Sequence, residues 1–346
     1  MVNNSSMNVL SNTSNSNSTD IYSVISDVTF LGYYSLSMVI IGTIFNVLTF
    51  FVLCRPVFRD TKVRPTLHYM RTLALIDFIN VYGWNLDHYL QLVHGFTLND
   101  SYTVASCKIF SFLNYVTLHI SAWLRVFICF DRYLCLSRLQ PNTWFNKSKS
   151  VLIIIFGTTI FFMLFNFHLL IFVCYRDDSG QIIRSSKLYA LYPIYNQIHL
   201  VIYIGIPLFF MILFNSSSIY HLIQLRHTTI VQNSRIRHRA ISITIIFTTC
   251  LFFLTCAPST ISYGYFYNTL AATVTGRRLV NAFDSITFTF PVLSFPIYLI
   301  TFSEFRRATF GFVIRNREIQ PITNGTRQPH VTNIQLQHRS NTHHLK

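Results

Sequence analysis

The sequence predicts an all-α membrane protein: a bundle of seven transmembrane helices followed by an amphipathic eighth helix. Three observations predict it. Of the 346 residues, 51% are hydrophobic and only 11% are charged, against about a quarter charged in an average soluble domain; the mean hydropathy is +0.40. Apolar segments at about 29–53, 66–92, 105–137, 149–173, 194–223, 238–267 and 280–302 exceed the roughly 18 residues that suffice for a membrane span. Basic charge is also unevenly placed. With the N-terminus outside, 20 of the 27 Lys and Arg fall on the cytoplasmic side, from Arg55 and Arg59 through Arg132 to Arg306 and Arg307. That is the positive-inside bias, so the formal charge of +15 reads as a membrane signal and not as a nucleic-acid one.

The elements follow in order. Residues 1–28 are polar, rich in Asn and Ser and free of Lys and Arg, which predicts an extracellular tail. Acceptor sequons start at Asn3, Asn4, Asn12 and Asn17, and at Asn99 in the first outer loop, so N-glycosylation is expected; an Asn/Ser-rich tail also carries such triplets by chance. The first apolar run starts late and is long enough to span, so no cleavable signal peptide is expected. The spans must be helices, because lipid offers no partner to an unpaired backbone group. Pro207, Pro258 and Pro296, with Pro291, lie inside the last three spans. There they kink the helices or are simply tolerated, as proline often is in membranes. Residues 303–313 set Phe305 and Phe312 beside Arg306 and Arg307, which predicts an amphipathic helix on the inner-leaflet lipids. Residues 314–346 read as a disordered cytoplasmic tail. It has no Cys for palmitate, its four His (His330, His338, His343 and His344) form no metal-spaced cluster, and Ser340 could be phosphorylated to recruit arrestin.

Of seven cysteines, only Cys107 and Cys174 fall on the outer side, where disulfides persist. A bridge there would tie the second outer loop across the mouth of the bundle; two free thiols are the alternative.

Several motifs occur in register. The third span begins with Cys107 and ends Asp131-Arg132-Tyr133. Asn46 lies in the first span, Leu73-Ala74-Leu75-Ile76-Asp77 in the second, and Phe252 through Cys256-Ala257-Pro258 in the sixth. Pro296 and Tyr298 lie in the seventh, followed by Glu304-Phe305-Arg306-Arg307. In this order and topology the set resembles the rhodopsin-like family of G protein-coupled receptors, over roughly residues 29–313. The resemblance implies a plasma-membrane receptor that passes an extracellular signal to a heterotrimeric G protein. Arg132 would contact the inserted tail of the G protein when the sixth span swings outward, with Asp131 holding it at rest and Tyr133 beside it. Leu139 would pack into the G protein from the second inner loop. Asn46, Asp77, Ser121, Pro207, Phe252, Cys256, Pro258, Pro296 and Tyr298 would form the switch between the two faces. Some positions depart from the family pattern. Cys256 stands where the family usually has Trp, Phe295-Pro296-Ile297-Tyr298 replaces Asn-Pro-x-x-Tyr, the fourth span lacks Trp, and His238 stands where many relatives carry an acid.

Arg125 is the anomaly within the third span. It lies seven residues, two helical turns, before Arg132 and so shares its inward face. A charge near mid-helix costs about 2.5–3.5 kcal/mol on insertion scales and demands a partner or water. Asp77 is the one acid at comparable depth. Relatives use this Asp with Ser121-type groups to hold sodium, but the family's Asn residues before Pro296 are missing here. Arg125 then either replaces sodium as the counter-charge of Asp77 or snorkels toward the inner face. Both predict high basal signalling that falls on Arg125→Leu.

Ligand chemistry is more weakly encoded. Asn114 stands where amine receptors carry Asp, and the seventh span has no Lys for a retinal Schiff base. Asp87, Asp284, Tyr115, Tyr263 and Tyr267, with Asn114, are the ligand-binding candidates. Their mixture of charge and aromatics suits a neuropeptide-like ligand, or else forms a solvated rim. No Walker loop, metal-spaced cluster or nucleophile triad is present, so neither enzyme chemistry nor a metal or other cofactor is expected. A non-coupling decoy receptor and a transporter are the rival classes; an inverted repeat would favour the transporter, and none is visible.

Overall fold

The computed structural model describes residues 18–58, 65–98, 103–137, 144–176, 178, 180, 182–183, 192–226 and 232–314. The sequons at Asn3, Asn4, Asn12, Asn17 and Asn99, Leu139, the side chain of His238 and the tail from 315 lie outside these residues. The first helix, α1 (Ser18–Leu53), starts within the stretch expected to be an extracellular tail. Ile21, Val24, Ile25 and Val28 recur at the i, i+3, i+4, i+7 spacing of a helix face, a signal masked by the surrounding Asn and Ser.

α2 (Thr66–Asn80) runs through a π turn (Val81–Leu86) into α3 (Asp87–His94). Gly95 stops that run in the left-handed conformation at φ 66°, where a Cβ would be penalised. The long α4 (Val104–Leu136) is opened by a reciprocal cap between Thr103 and Ser106. α5 (Ser148–Phe165) and α6 (His168–Phe172) lead to a two-residue hairpin, β1 (Tyr175–Arg176) on β2 (Ile182–Ile183). α7 (Tyr192–Leu200), a π turn (Val201–Gly205) and α8 (Ile206–Arg226) follow. α9 (Gln232–Ile261) continues through a third π turn (Ser262–Phe266) into α10 (Tyr267–Ala271). α11 (Val274–Thr287), α12 (Phe290–Thr301) and α13 (Ser303–Ile314) complete the described chain.

These helices make an all-α, multi-pass membrane protein. Thr29–Leu53, Val104–Leu136, Ser148–Phe172, Gln197–His221 and Ile243–Phe266 are long and apolar enough to cross a membrane, and α11 with α12, bent by 44°, makes a sixth if counted as one span. The run from Thr66 to His94 is long enough but falls outside that set, because Arg71, Asp77, Asn80, Asn85 and Asp87 interrupt its apolar character. Those polar groups are buried or half-buried against other helices, so the composition reflects an interior role. α4 runs through the core, where Ile120, Leu124, Ile128 and Cys129 join one cluster with Leu73, Met211, Phe252 and Tyr298. α5 leaves Leu152, Ile153, Phe156, Phe161 and Leu164 exposed, an apolar face suited to lipid.

The prolines act through specific broken bonds. Pro207 has no N–H, so in the preceding π turn, where the Ile206 N–H reaches back to the Val201 carbonyl, the Ile202 carbonyl has no helical donor. The Trp123 indole supplies one at 3.1 Å. The bend between α11 and α12 falls at Phe288–Thr289, just before Pro291, one of the four prolines expected to kink the last three spans. Pro291, in the first turn of α12, has no N–H for the Thr287 carbonyl four residues back, and the Val292 N–H turns to the Thr289 carbonyl instead of Phe288; Asn85 Nδ2 donates to the Phe288 carbonyl at 3.3 Å. None of the three π turns was expected from sequence; such turns recur at functional sites.

Candidate functional site

At mid-bundle the charges meet. Arg125 Nη2 on α4 lies 2.9 Å from Asp77 Oδ2 on α2, with both side chains almost fully enclosed. Ser121 donates to Asp77 Oδ1 at 2.9 Å. Arg125 Nη1 donates back to the Ser121 carbonyl at 2.9 Å and also meets its hydroxyl. The guanidinium faces the rings of Phe290, 4.4 Å from its centroid, and Phe252, at 5.7 Å. A desolvated contact of this kind is worth about 2 kcal/mol. The side chain thus points across the bundle to Asp77 and links α2, α4, α9 and α12. Of the other switch residues, Cys256 and Tyr298 are buried in the same cluster. Phe252 meets the ring of Tyr203, in the π turn that precedes Pro207, at 5.9 Å, and Pro207 is itself buried. Asn46 is buried, with its amide nitrogen unpartnered.

Toward the Arg132 end, a small cavity of about 20 Å³, measured as space open to the centre of a water, lies beside Arg125, Cys129, Thr249, Ser294 and Tyr298. That is room for about one water, within walls that are mostly apolar and include Met70, Leu73, Ile128 and Phe302. Beyond it Arg132 Nη2 pairs with Asp131 Oδ2 at 2.9 Å, and Thr66 donates to the same carboxylate oxygen. Arg132 Nε and Asp131 Oδ1 are buried without hydrogen-bond partners. Tyr133 lies beside Phe214 and His221 of α8. Around this end α9 is held by Thr244 to Thr301 at 2.7 Å and by Asn215 to Thr249 at 3.0 Å.

At the opposite end a disulfide joins Cys107 to Cys174 with Cα atoms 6.1 Å apart. Cys174 has φ 67°, a left-handed conformation uncommon outside glycine, where the chain turns into the hairpin. Asp87 is buried and accepts the Leu98 N–H at 2.6 Å. Asn114 leaves its amide oxygen buried without a partner, and Tyr115 packs edge-on to Tyr195 and His199. Asp284 accepts from Ser259 and, at 2.6 Å, from the hydroxyl of Tyr263, whose ring stacks on Tyr267.

Sequence reading missed a histidine pair, buried His119 with half-buried His199. His119 Nδ1 lies 2.7 Å from the Tyr115 carbonyl. A carbonyl only accepts, so that nitrogen carries the hydrogen, and Nε2 accepts from His199 Nδ1 at 3.2 Å. Asn166 and Tyr195 extend the network, the Tyr195 hydroxyl donating to Asn166 Oδ1 at 2.6 Å. The i, i+4 spacing of Tyr115 with His119 and of Tyr195 with His199 was the available signal, but helical spacing alone does not say that two faces meet. Replacing His119 with leucine leaves the His199 N–H buried and unpaired, and should cost about 1–3 kcal/mol. The His119→Leu/His199→Leu double variant should cost less than the two single losses summed. Thermal melts of the purified variants check this, and additive losses would refute the pairing.

No protein-family model matches the chain, and no curated protein matches it at a significant level.

Proposed function

We propose that this protein is a rhodopsin-like G protein-coupled receptor of the plasma membrane, with seven spans and the N-terminus outside. In this reading the Cys107 end faces an extracellular, peptide-like ligand, and the Arg132 end drives nucleotide exchange on a heterotrimeric G protein. The observation that carries the reading is the layout of α4. It has a tethering disulfide at one end, the Asp77–Arg125 pair in the middle and the buried Asp131–Arg132 pair at the other. A buried arginine held by its neighbouring aspartate is a latent cation. Outward movement of α9 would break Thr244–Thr301 and Asn215–Thr249 and take Phe252 off Arg125, opening a polar cleft onto Arg132. Asp131, Arg132 and Tyr133, with Leu139 beyond them, are the surface such a cleft would offer.

Basal nucleotide exchange on a panel of purified G proteins, using membranes that carry the wild type, should exceed the G protein's own rate for at least one partner. Arg132→Ala should return it to that rate. Uptake of a solute with no exchange on any G protein would favour the transporter class instead.

A further inference from the structure

The described residues include four buried carboxylates: Asp77, Asp87, Asp131 and Asp284. Asp77 and Asp131 are each paired with an arginine, and Asp87 accepts a backbone N–H. Asp284 differs. It is only 7% exposed, yet both of its oxygens are held by neutral hydroxyls, Oδ1 by Ser259 and Oδ2 by Tyr263. Among the described residues it forms no ion pair. Arg277 lies seven residues earlier on the same helix, about 10 Å away by helical rise, and leaves it unpaired. Hydroxyl donors orient a carboxylate but bring no compensating charge, and a buried charge calls for a cation.

The surroundings fit one. Tyr263 and Tyr267 are stacked, with centroids 5.3 Å apart and planes 17° from parallel, and aromatic faces attract cations. Tyr263 belongs to the π turn Ser262–Phe266, which widens the helix opposite Asp284. Ser259 follows Pro258, whose missing N–H loosens the same stretch.

We propose that Asp284, set by Ser259 and Tyr263 and flanked by Tyr267, is an anchor for a cationic group, a guanidinium or ammonium carried by an extracellular ligand. This rests on the receptor reading for its sidedness but not for its chemistry. It narrows the ligand class to molecules with an exposed basic group, and it places recognition on the stretch of α9–α10 that follows Pro258. A cation drawn between α11 and this stretch would pull on the segment that the proposed switch has to move.

The test uses the full-length chain, purified in detergent and followed by thermal melting. The probes are arginine amide, its neutral isostere citrulline amide, and sodium chloride at equal ionic strength. Arginine amide should raise the wild-type midpoint by about 2–4 °C at saturation, while citrulline amide and sodium chloride leave it unmoved. The shift should vanish in Asp284→Asn and survive in part in Asp284→Glu. If Asp284→Asn does not fold, the two amides on the wild type and on Asp284→Glu still decide the matter. An equal shift with citrulline amide would overturn the proposal, since charge would not be what is recognised. An equal shift with sodium chloride would assign the position to an inorganic cation and overturn the organic one. No shift at all would leave Asp284 as a structural acceptor for two hydroxyls. The nucleotide-exchange assay needs no ligand and reads Arg132, so a charge-selective shift without exchange would refute coupling and leave the anchor standing.

Discussion

Replacing Arg125 with methionine is expected to destabilise the chain by about 3–5 kcal/mol, the cost of stripping one partner from a buried ion pair. Methionine conserves much of the side-chain length, so the loss is electrostatic before it is steric. Asp77 keeps the Ser121 hydroxyl, at 2.9 Å, but loses its only compensating charge in a fully enclosed position. Phe252 and Phe290 lose the cation beside them. Adding Asp77→Asn should recover most of the loss, because an amide can keep the Ser121 contact without a charge to balance. Thermal melts of the single and double variants measure both. A double variant as unstable as Arg125→Met alone would show that Asp77 is not what Arg125 serves. Basal exchange per folded protein gives a separate readout. From sequence, a mid-helix arginine implies hydration and high basal activity that falls on Arg125→Leu. The opposite sign is expected from the observed Asp77–Arg125 pair, since the guanidinium also faces Phe252 of α9 and so ties it to α2, α4 and α12. Releasing it should raise basal exchange, and a fall would return the argument to hydration.

Much of this arrangement was legible in the sequence, and the limits have physical causes. The depth of Arg125 and Asp77 followed from helical rise alone, because lipid forces a regular helix and a regular helix fixes depth. The cysteine pair followed from sidedness. What composition could not show was where helices depart from regularity. The π turns at Val81–Leu86, Val201–Gly205 and Ser262–Phe266 each shift the residues beyond them around the helix axis. Proline positions were plain, but which proline bends the chain depends on rescue from neighbouring helices, as with Asn85 at the Phe288 carbonyl. The polar character of the run from Thr66 to His94 likewise lowered its span signal for the reason that makes it central: its Asp77, Asn80 and Asn85 face protein. Burial of His119 against His199 needed the contact between α4 and α7 and was out of reach of periodicity.

Removing the Cys107–Cys174 bridge is the second large effect expected, about 2–4 kcal/mol. The two cysteines are 67 residues apart in sequence, and closing a loop of that length restricts the unfolded ensemble strongly. Helices that stay in the membrane already restrict that ensemble, which keeps the figure below the free-chain limit. The native side also loses contacts that the bridge positions. Cys107 and Cys174 share a small core with Leu169, Val173 and Tyr195, and Lys108 donates to the Ile171 carbonyl at 2.9 Å while facing the Tyr175 ring. Without the bridge, Cys174 has no covalent reason to hold its left-handed backbone, and the hairpin Tyr175–Ile183 has no fixed root over the end of α4. The Cys107→Ser/Cys174→Ser double variant should melt lower than wild type, and full reduction of the wild type should bring its midpoint to the same value. Agreement between the two would separate the covalent link from any effect of the serines. A wild type whose melting is indifferent to reductant would mean that helix packing alone fixes this end of the bundle. Tyr195 would then be the residue to examine, since its hydroxyl ties α7 to Asn166 beside the same core.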